Sequence, residues 1–307
     1  MKIQHLMNKE DSGLTKTTLE LAKYEELEGH KAIIRQPTGG GLLYGHGREY
    51  DVTCIHHQMD PQQYHDGKPK FLWMHGEPLS SVGNGISMRA LVEMAPLCSA
   101  FIAMRRDEVQ VWKALKNETY LVPKGIDLEV YKPLPVTERL SGEPAILYYE
   151  NWRGVRNPLY WCIAMQEVHK KYPNARLHLY NCIDKRMVDT FQALNTHCHW
   201  WPWLRSIAGV VPNVNLLLNQ VDIVVSGLFP LYARSIEAFG AGKAFISPGY
   251  SEHDYPWTCT YDPQSMAETI IKCHENYDKV NYRKWAEDFH DVRNTVKESI
   301  KVYGKFL

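Results

Sequence analysis

Ser226-Gly227-Leu228-Phe229-Pro230-Leu231-Tyr232-Ala233-Arg234-Ser235-Ile236-Glu237-Ala238-Phe239-Gly240-Ala241-Gly242-Lys243-Ala244-Phe245-Ile246 reads as a strand's end, a turn, a helix closed by glycine and the next strand. The β-branched run Ile223–Val225 precedes it, the helix is expected over Ser235–Ala241, and Ala244–Ser247 is the following strand. Strand, helix and strand in that order form a crossover that joins parallel strands. Glu237 falls in the first turn of the expected helix. There it can accept both hydroxyls of a ribose, while the N–H groups about Ser235 and Ile236 face an anion. A carboxylate that only balances the helix dipole is the alternative for this stretch alone.

The same alternation extends in both directions. Upstream, strands are expected at Ala145–Tyr149 and Arg176–Tyr180, with helices at Pro158–Lys171 and Arg186–Leu194. A first series has strands at Ile3–Met7, Ala32–Arg35, Val52–His56, Phe71–Met74, Phe101–Met104 and Thr119–Val122, and helices at Leu14–Glu28, Ser87–Met94 and Arg106–Leu115. Pro133, Pro135, Ser141, Gly142 and Pro144 cluster between the two series as a connector. The pattern predicts an α/β protein with parallel sheets, divided into residues 1–134, residues 143–281, and a helical segment 282–307 that crosses the junction.

Composition narrows the function classes. The 307 residues carry 35 Lys+Arg against 35 Asp+Glu, so no global field draws the chain to nucleic acid or anionic lipid. The 44% hydrophobic content is globular and excludes disorder. Charged Lys9, Glu10 and Asp11 follow the N-terminus closely, and no apolar run reaches the roughly 20 residues a bilayer span requires, so a soluble, cytoplasmic protein is expected. Seven cysteines are scattered without a CxxC pair. Reduced thiols and no metal site are expected, His197-Cys198-His199 being read as alternating strand residues.

Ligands of open α/β sheets bind beyond the carboxyl ends of the strands, so the residues just after each strand are the candidates. Gly13 lies in the first strand-to-helix turn, either beside a phosphate or because the turn needs glycine. His75 and Glu77 follow the fourth strand, where a catalytic or substrate-orienting group would be placed. Arg153 and Arg156 lie in a strand-to-helix loop and suit a diphosphate, guanidinium forks pairing bidentately with phosphate oxygens. Two solvated surface arginines are the plainer reading.

In these features the sequence resembles the retaining GT-B glycosyltransferases of the glycosyltransferase family 4 (group 1) type over most of its length. Met1–Ile34 is similar to the family's opening strand, Gly turn and helix, with Leu21-Ala22-Lys23 and Gly29-His30 in place. The best match is Val122-Pro123-Lys124-Gly125-Ile126-Asp127-Leu128-Glu129-Val130-Tyr131-Lys132-Pro133, and Ser226 to Glu237, with Ala238 and Gly242, resembles the donor-binding motif. The resemblance implies two Rossmann-like domains facing a cleft, the first for the acceptor and the second for the nucleotide sugar. It also implies Arg156 at the diphosphate, Glu237 at the ribose, Gly13 at the phosphate-side turn and His75 near the transferred sugar. Asn151 stands where the family has an arginine, with Arg153 two residues along to replace it. Phe229 stands where the family has its first glutamate, which leaves the donor sugar open. Trp201 and Trp203 are candidates to stack on the base, and Gly40 and Gly41, in a glycine-rich loop, are assigned to the acceptor side.

The implied reaction is metal-independent transfer of a sugar from a nucleotide diphosphate, UDP foremost, to an acceptor hydroxyl with retention of configuration. His75, Arg153 and Arg156 form the catalytic set, and the nucleotide sugar is a co-substrate with no further cofactor. A hydroxymethylated base in duplex DNA, as in phage enzymes that sugar their own genomes in the host cytoplasm, is one acceptor; a saccharide or small metabolite is the other. The alternative class is a degenerate GT-B protein that binds a nucleotide sugar or a partner without turnover. Oligomeric state is left open.

Overall fold

A computed structural model describes residues 1–7, 12–35, 49–56, 67–75, 88–150, 158–180, 199–200, 214–227, 232–248 and 255–307. The chain divides into two compact units, Met1–Asp127 with Phe289–Leu307, and Leu128–Asp288.

The first unit holds strands β1 (Lys2–Leu6), β2 (Lys31–Arg35), β3 (Val52–Ile55), β4 (Lys70–Met74), β5 (Ala100–Ala103) and β6 (Thr119–Leu121). They pair in the order β2-β1-β3-β4-β5-β6, every pair parallel. A parallel sheet must be covered on both faces, and its strands accordingly read as continuous apolar runs. On one face Ile3, Val52, Cys54, Phe71, Trp73 and Ile102 pack under Leu21 and Tyr24 of helix α1 (Ser12–Leu27). Val292, Val296 and Tyr303 from the last helix join the same cluster. On the other face Leu6, Ile55, Leu72, Met74 and Phe101 pack against Leu91 and Met94 of α2 (Met88–Met94) and Trp112 of α3 (Arg106–Lys113).

The second unit holds β7 (Ala145–Tyr148), β8 (Arg176–Leu179), β9 (His199–Trp200), β10 (Ile223–Val225), β11 (Ala244–Pro248) and β12 (Thr258–Cys259), in the order β12-β11-β10-β7-β8-β9 and again parallel throughout. Its helices are α4 (Leu159–Lys171), α5 (Val214–Asn219), α6 (Tyr232–Gly240), α7 (Pro263–Glu275) and α8 (Tyr282–Phe289). The chain then passes to α9 (Val292–Gly304), which belongs to the first unit. The segment 282–307 is thus two helices, because Asp291 caps α9 afresh by accepting from the Arg293 N–H at 2.9 Å.

Strand order reverses direction once in each sheet. In the first, β1 lies between β2 and β3, so the switch point is β1/β3; in the second, β7 lies between β8 and β10, so it is β7/β10. Ligands of doubly wound sheets bind outside the carboxyl ends of the strands at that point.

Candidate active site

At the β7/β10 switch point the strands run on into Tyr149-Glu150 and Ser226-Gly227. Glu150 is buried, and its Oε2 accepts the Gly227 N–H at 3.1 Å, tying the two strand ends together. Trp161 of α4 donates its indole N–H to the Ser226 carbonyl at 2.7 Å, and Ser247 of β11 donates its hydroxyl to the Gly227 carbonyl at 3.3 Å. The turn out of β10 is therefore held from three neighbouring elements.

The next helix carries Glu237. Its Oε1 accepts the Tyr131 hydroxyl at 3.0 Å and its Oε2 accepts the Tyr149 hydroxyl at 3.1 Å. Two phenols thus fix the plane of a carboxylate that is only 3% exposed. Tyr131 is held in turn by Arg283 of α8, whose Nη1 donates to the carbonyls of Tyr131 at 2.6 Å, Gly240 at 2.9 Å and Leu128 at 3.3 Å. Helix α6 starts at Tyr232, earlier than the expected Ser235, because Ala233 and Arg234 are strong helix formers that extend it. Glu237 consequently sits in the second turn rather than the first, and Ser235 and Ile236, both buried, lie inside the helix. The helix closes as the sequence indicates: Gly242 has φ 74°, its N–H reaches the Phe239 carbonyl and that of Lys243 reaches Ala238, a Schellman pair.

The β1/β3 switch point carries a different device. His5 lies on β1, His56 follows β3 and His75 follows β4. Each continues the row that faces α1: Ile3 to His5, Val52 and Cys54 to His56, Phe71 and Trp73 to His75. His5 Nε2 meets Glu25 Oε2 of α1 at 2.6 Å, His5 Nδ1 meets His56 Nε2 at 2.8 Å, and His56 Nδ1 meets His75 Nε2 at 2.8 Å. Glu25, His5 and His56 are buried, whereas His75 is partly exposed. The rings also stack, His5 on His56 at 5.0 Å and His56 on Trp73 at 5.4 Å between centroids. Burial, then the neighbouring His5 and His75, hold the His56 pKa well below its ordinary 6.5. Burial and then the Glu25 charge push the Cys54 thiol well up, and Tyr303, whose ring packs on Phe71, is likewise raised by burial first. The imidazoles stand in file; among the described residues no group of three or more His, Cys, Asp or Glu is arranged to hold a metal ion.

Of the residues singled out by sequence, Glu237, Ser235 and Ile236 lie together on α6, His75 ends the β4 row, and Gly13 is the second residue of α1. Arg153, Arg156, Asn151, Trp201, Trp203, Gly40, Gly41, Glu77 and Phe229 lie outside the described residues, as does the expected helix Arg186–Leu194. Sequence reasoning missed Tyr131, Tyr149, Glu150 and Arg283 in the second unit, and Glu25, His5 and His56 in the first.

Two Rossmann-like units, each a parallel sheet with its own switch point, constitute the GT-B fold of glycosyltransferases. Among solved structures, the chain is similar to a glycosyltransferase from Rickettsia africae, with 13% identity and a TM-score of 0.72 over 99% of this chain and 98% of that one. It is similar to HepE from Anabaena in complex with UDP-glucose, with 14% identity and a TM-score of 0.73 over 99% and 100% of the two chains. An alpha-glucosyltransferase in complex with UDP and a 13-mer DNA containing an HMU base matches with 11% identity and a TM-score of 0.63 over 99% of each. No family model and no curated protein matches the sequence. No described helix is long and apolar enough to cross a membrane.

Proposed function

We propose that this protein is a glycosyltransferase of the retaining family 4 type, moving a sugar from a UDP-linked donor to an acceptor hydroxyl. The observation that carries the reading is the phenol-braced carboxylate of Glu237 at the β7/β10 switch point of a fold whose whole-length neighbours include a UDP-glucose complex. The second unit holds the donor and the first the acceptor. Glu237 receives the ribose hydroxyls, an ionised carboxylate offering about four acceptor sites. Arg153, Arg156 and backbone N–H groups meet the charge that builds on the leaving diphosphate, the role a metal plays in other transferases. The acceptor hydroxyl attacks on the face from which the diphosphate departs, so configuration is retained. A hydroxymethylated base in DNA stands beside saccharides as an acceptor because one neighbour holds a 13-mer DNA containing an HMU base.

The test is an assay with UDP-glucose and, in separate tubes, a hydroxymethylated duplex and a saccharide mixture, each with and without a chelator. Release of UDP matched by an α-linked product, unchanged by the chelator, is expected with one acceptor. A β-linked product overturns retention. Nucleotide-dependent stabilisation with no released UDP from any donor would instead identify a binding protein without turnover.

A further inference from the structure

We propose that the outer face of α9 is a docking surface for the phosphodiester backbone of DNA, carried by Arg293, Lys297, Lys301 and the C-capping Lys305. The four recur at every fourth position, which on an α-helix makes one oblique ridge with a cation about every 6 Å along roughly 18 Å of axis. Val292, Val296, Val302 and Tyr303 face the other way and are buried, whereas Lys297, Lys301 and Lys305 are exposed and Arg293 is half-exposed. The arrangement breaks a local rule. Like charges four residues apart repel on a helix, and the ridge has three such pairs in succession. Elsewhere the same spacing carries opposite charges: Lys16 and Glu20 on α1 at 3.9 Å, and Arg283 with Glu287 at 2.8 Å and Lys284 with Asp288 at 2.9 Å on α8. The helix dipole favours Lys301 and Lys305 at the carboxyl end. Arg293, however, stands in the first turn, where a cation is disfavoured, and Lys297 stands mid-helix, beyond the dipole's reach. Repulsion that gives folding nothing in return is expected where a ligand makes use of the charge.

The carboxylates about the ridge do not cancel it. Asp291 holds Arg293 at 3.1 Å while capping the helix, and Glu298 holds Lys301 at 2.5 Å. Glu28, just past α1, lines a cavity of about 400 Å³ together with Lys297 and Lys301. Lys305 lies over the Tyr120 ring at 4.4 Å, and Lys297 pairs with no carboxylate among the described residues. Exposed ion pairs contribute little, so phosphate oxygens exchange readily for Asp291 and Glu298. Arg293 then offers a bidentate fork and each lysine a point charge. Evenly stepped cations suit a linear polyanion, because each can neutralise one phosphate of a strand, whereas a small anion engages one or two of them. A membrane-bound helix lays its apolar face into lipid, and the apolar face of α9 is already buried in the first unit. That unit is the one assigned to the acceptor, so the ridge deepens the transferase reading by naming DNA, rather than a saccharide, as what is glycosylated. This use of the strand rests on that reading; the docking itself does not.

Fluorescence anisotropy of a short labelled duplex, titrated with the full chain without any donor, tests the ridge. With four phosphates neutralised, log K against log salt should have a slope of about −3.6, and raising KCl from roughly 50 to 200 mM should weaken binding on the order of a hundredfold. Lys297→Gln and Lys305→Gln should each make the slope shallower by about 0.9, while Lys170→Gln on α4, equally exposed, should leave it unchanged. Lys297→Glu turns two like-charge pairs into opposite ones, so its unfolding midpoint should hold or rise while duplex binding falls at least about tenfold and UDP binding stays the same. A merely structural role would move the midpoint down and the slope not at all. No duplex binding at low salt, slopes unchanged in both glutamine variants, or tighter capture by anionic vesicles or polyglutamate than by the duplex would overturn the proposal. Duplex binding that depends on Lys297 in a protein that transfers no sugar would leave the ridge standing and defeat the transferase reading alone.

Discussion

Glu237, Tyr131 and Tyr149 form a unit in which each member constrains the others, and single atoms test it. Tyr149→Phe or Tyr131→Phe removes one phenol from a buried carboxylate. A hydrogen bond to a charged group is worth about 1.5–3 kcal/mol, so each variant should lose that much stability in urea. A loss below a few tenths would mean the phenols do not brace Glu237. His56 gives a pH test. Its folded pKa is depressed, so the unfolded chain binds the proton first. The stability it contributes is present above the free value of 6.5 and is lost as the pH falls from there towards the folded value, by up to about 1.4 kcal/mol per pH unit. Wild type should therefore weaken between pH 6.5 and 5.5 by about 1 kcal/mol more than His56→Gln. Equal slopes would contradict a neutral buried imidazole. Glu237 and His75 stand out in the sequence because each comes after a strand end in the chain. The phenols do not, since Tyr131 and Tyr149 lie 106 and 88 residues from their partner and only the folded sheet brings them to it.

Helices and loops show which local signals sufficed. Pro263–Glu275 was overlooked although its start is written in the chain: Asp262 accepts the Ser265 N–H at 2.8 Å, Pro263 takes the first position, and Met266, Ile270 and Cys273 fill the buried face. Asp262→Ala should cost about 1 kcal/mol, read as a lower unfolding midpoint. The stretch Val122–Asp127 acquires a physical reason for its glycine. A Cβ on Gly125 would lie 2.5 Å from the Val292 backbone, while next to it the Ile126 N–H donates to the His290 carbonyl at 2.9 Å and the Val292 N–H donates to the Ile126 carbonyl at 3.1 Å. Gly125→Ala should therefore destabilise the first unit by at least about 1–3 kcal/mol, the usual cost of overpacking, and a neutral result would contradict this close approach. The histidine file was readable in principle. His5, His56 and His75 each extend an apolar row at the strand's period of two, and Glu25 follows Leu21 by one helical turn on the buried face of α1. Read strand by strand, each is an isolated polar residue; only the pairing β1-β3-β4 makes them neighbours.

At the scale of the molecule, alternation of strand and helix was enough to predict two parallel α/β units, because crossover connections leave few other topologies. Strand order was not legible, since β12-β11-β10-β7-β8-β9 depends on which edge each crossover takes. That order is what places Glu237 and its phenols at one switch point and the histidines at the other. Arg283 shows the same dependence on distance: from α8 it secures the segment that carries Tyr131, and Arg283→Met should weaken nucleotide binding without touching the ligand, visible as a smaller stabilisation by UDP. The central claim is that the second unit binds a nucleotide sugar through Glu237. Calorimetric titration of UDP into wild type and into folded Glu237→Gln tests it most directly. Saturable one-to-one binding, weakened roughly 10- to 100-fold by the variant, is the predicted result for loss of a charged acceptor. Equal affinity in the two proteins, or no binding of UDP to wild type, would contradict it.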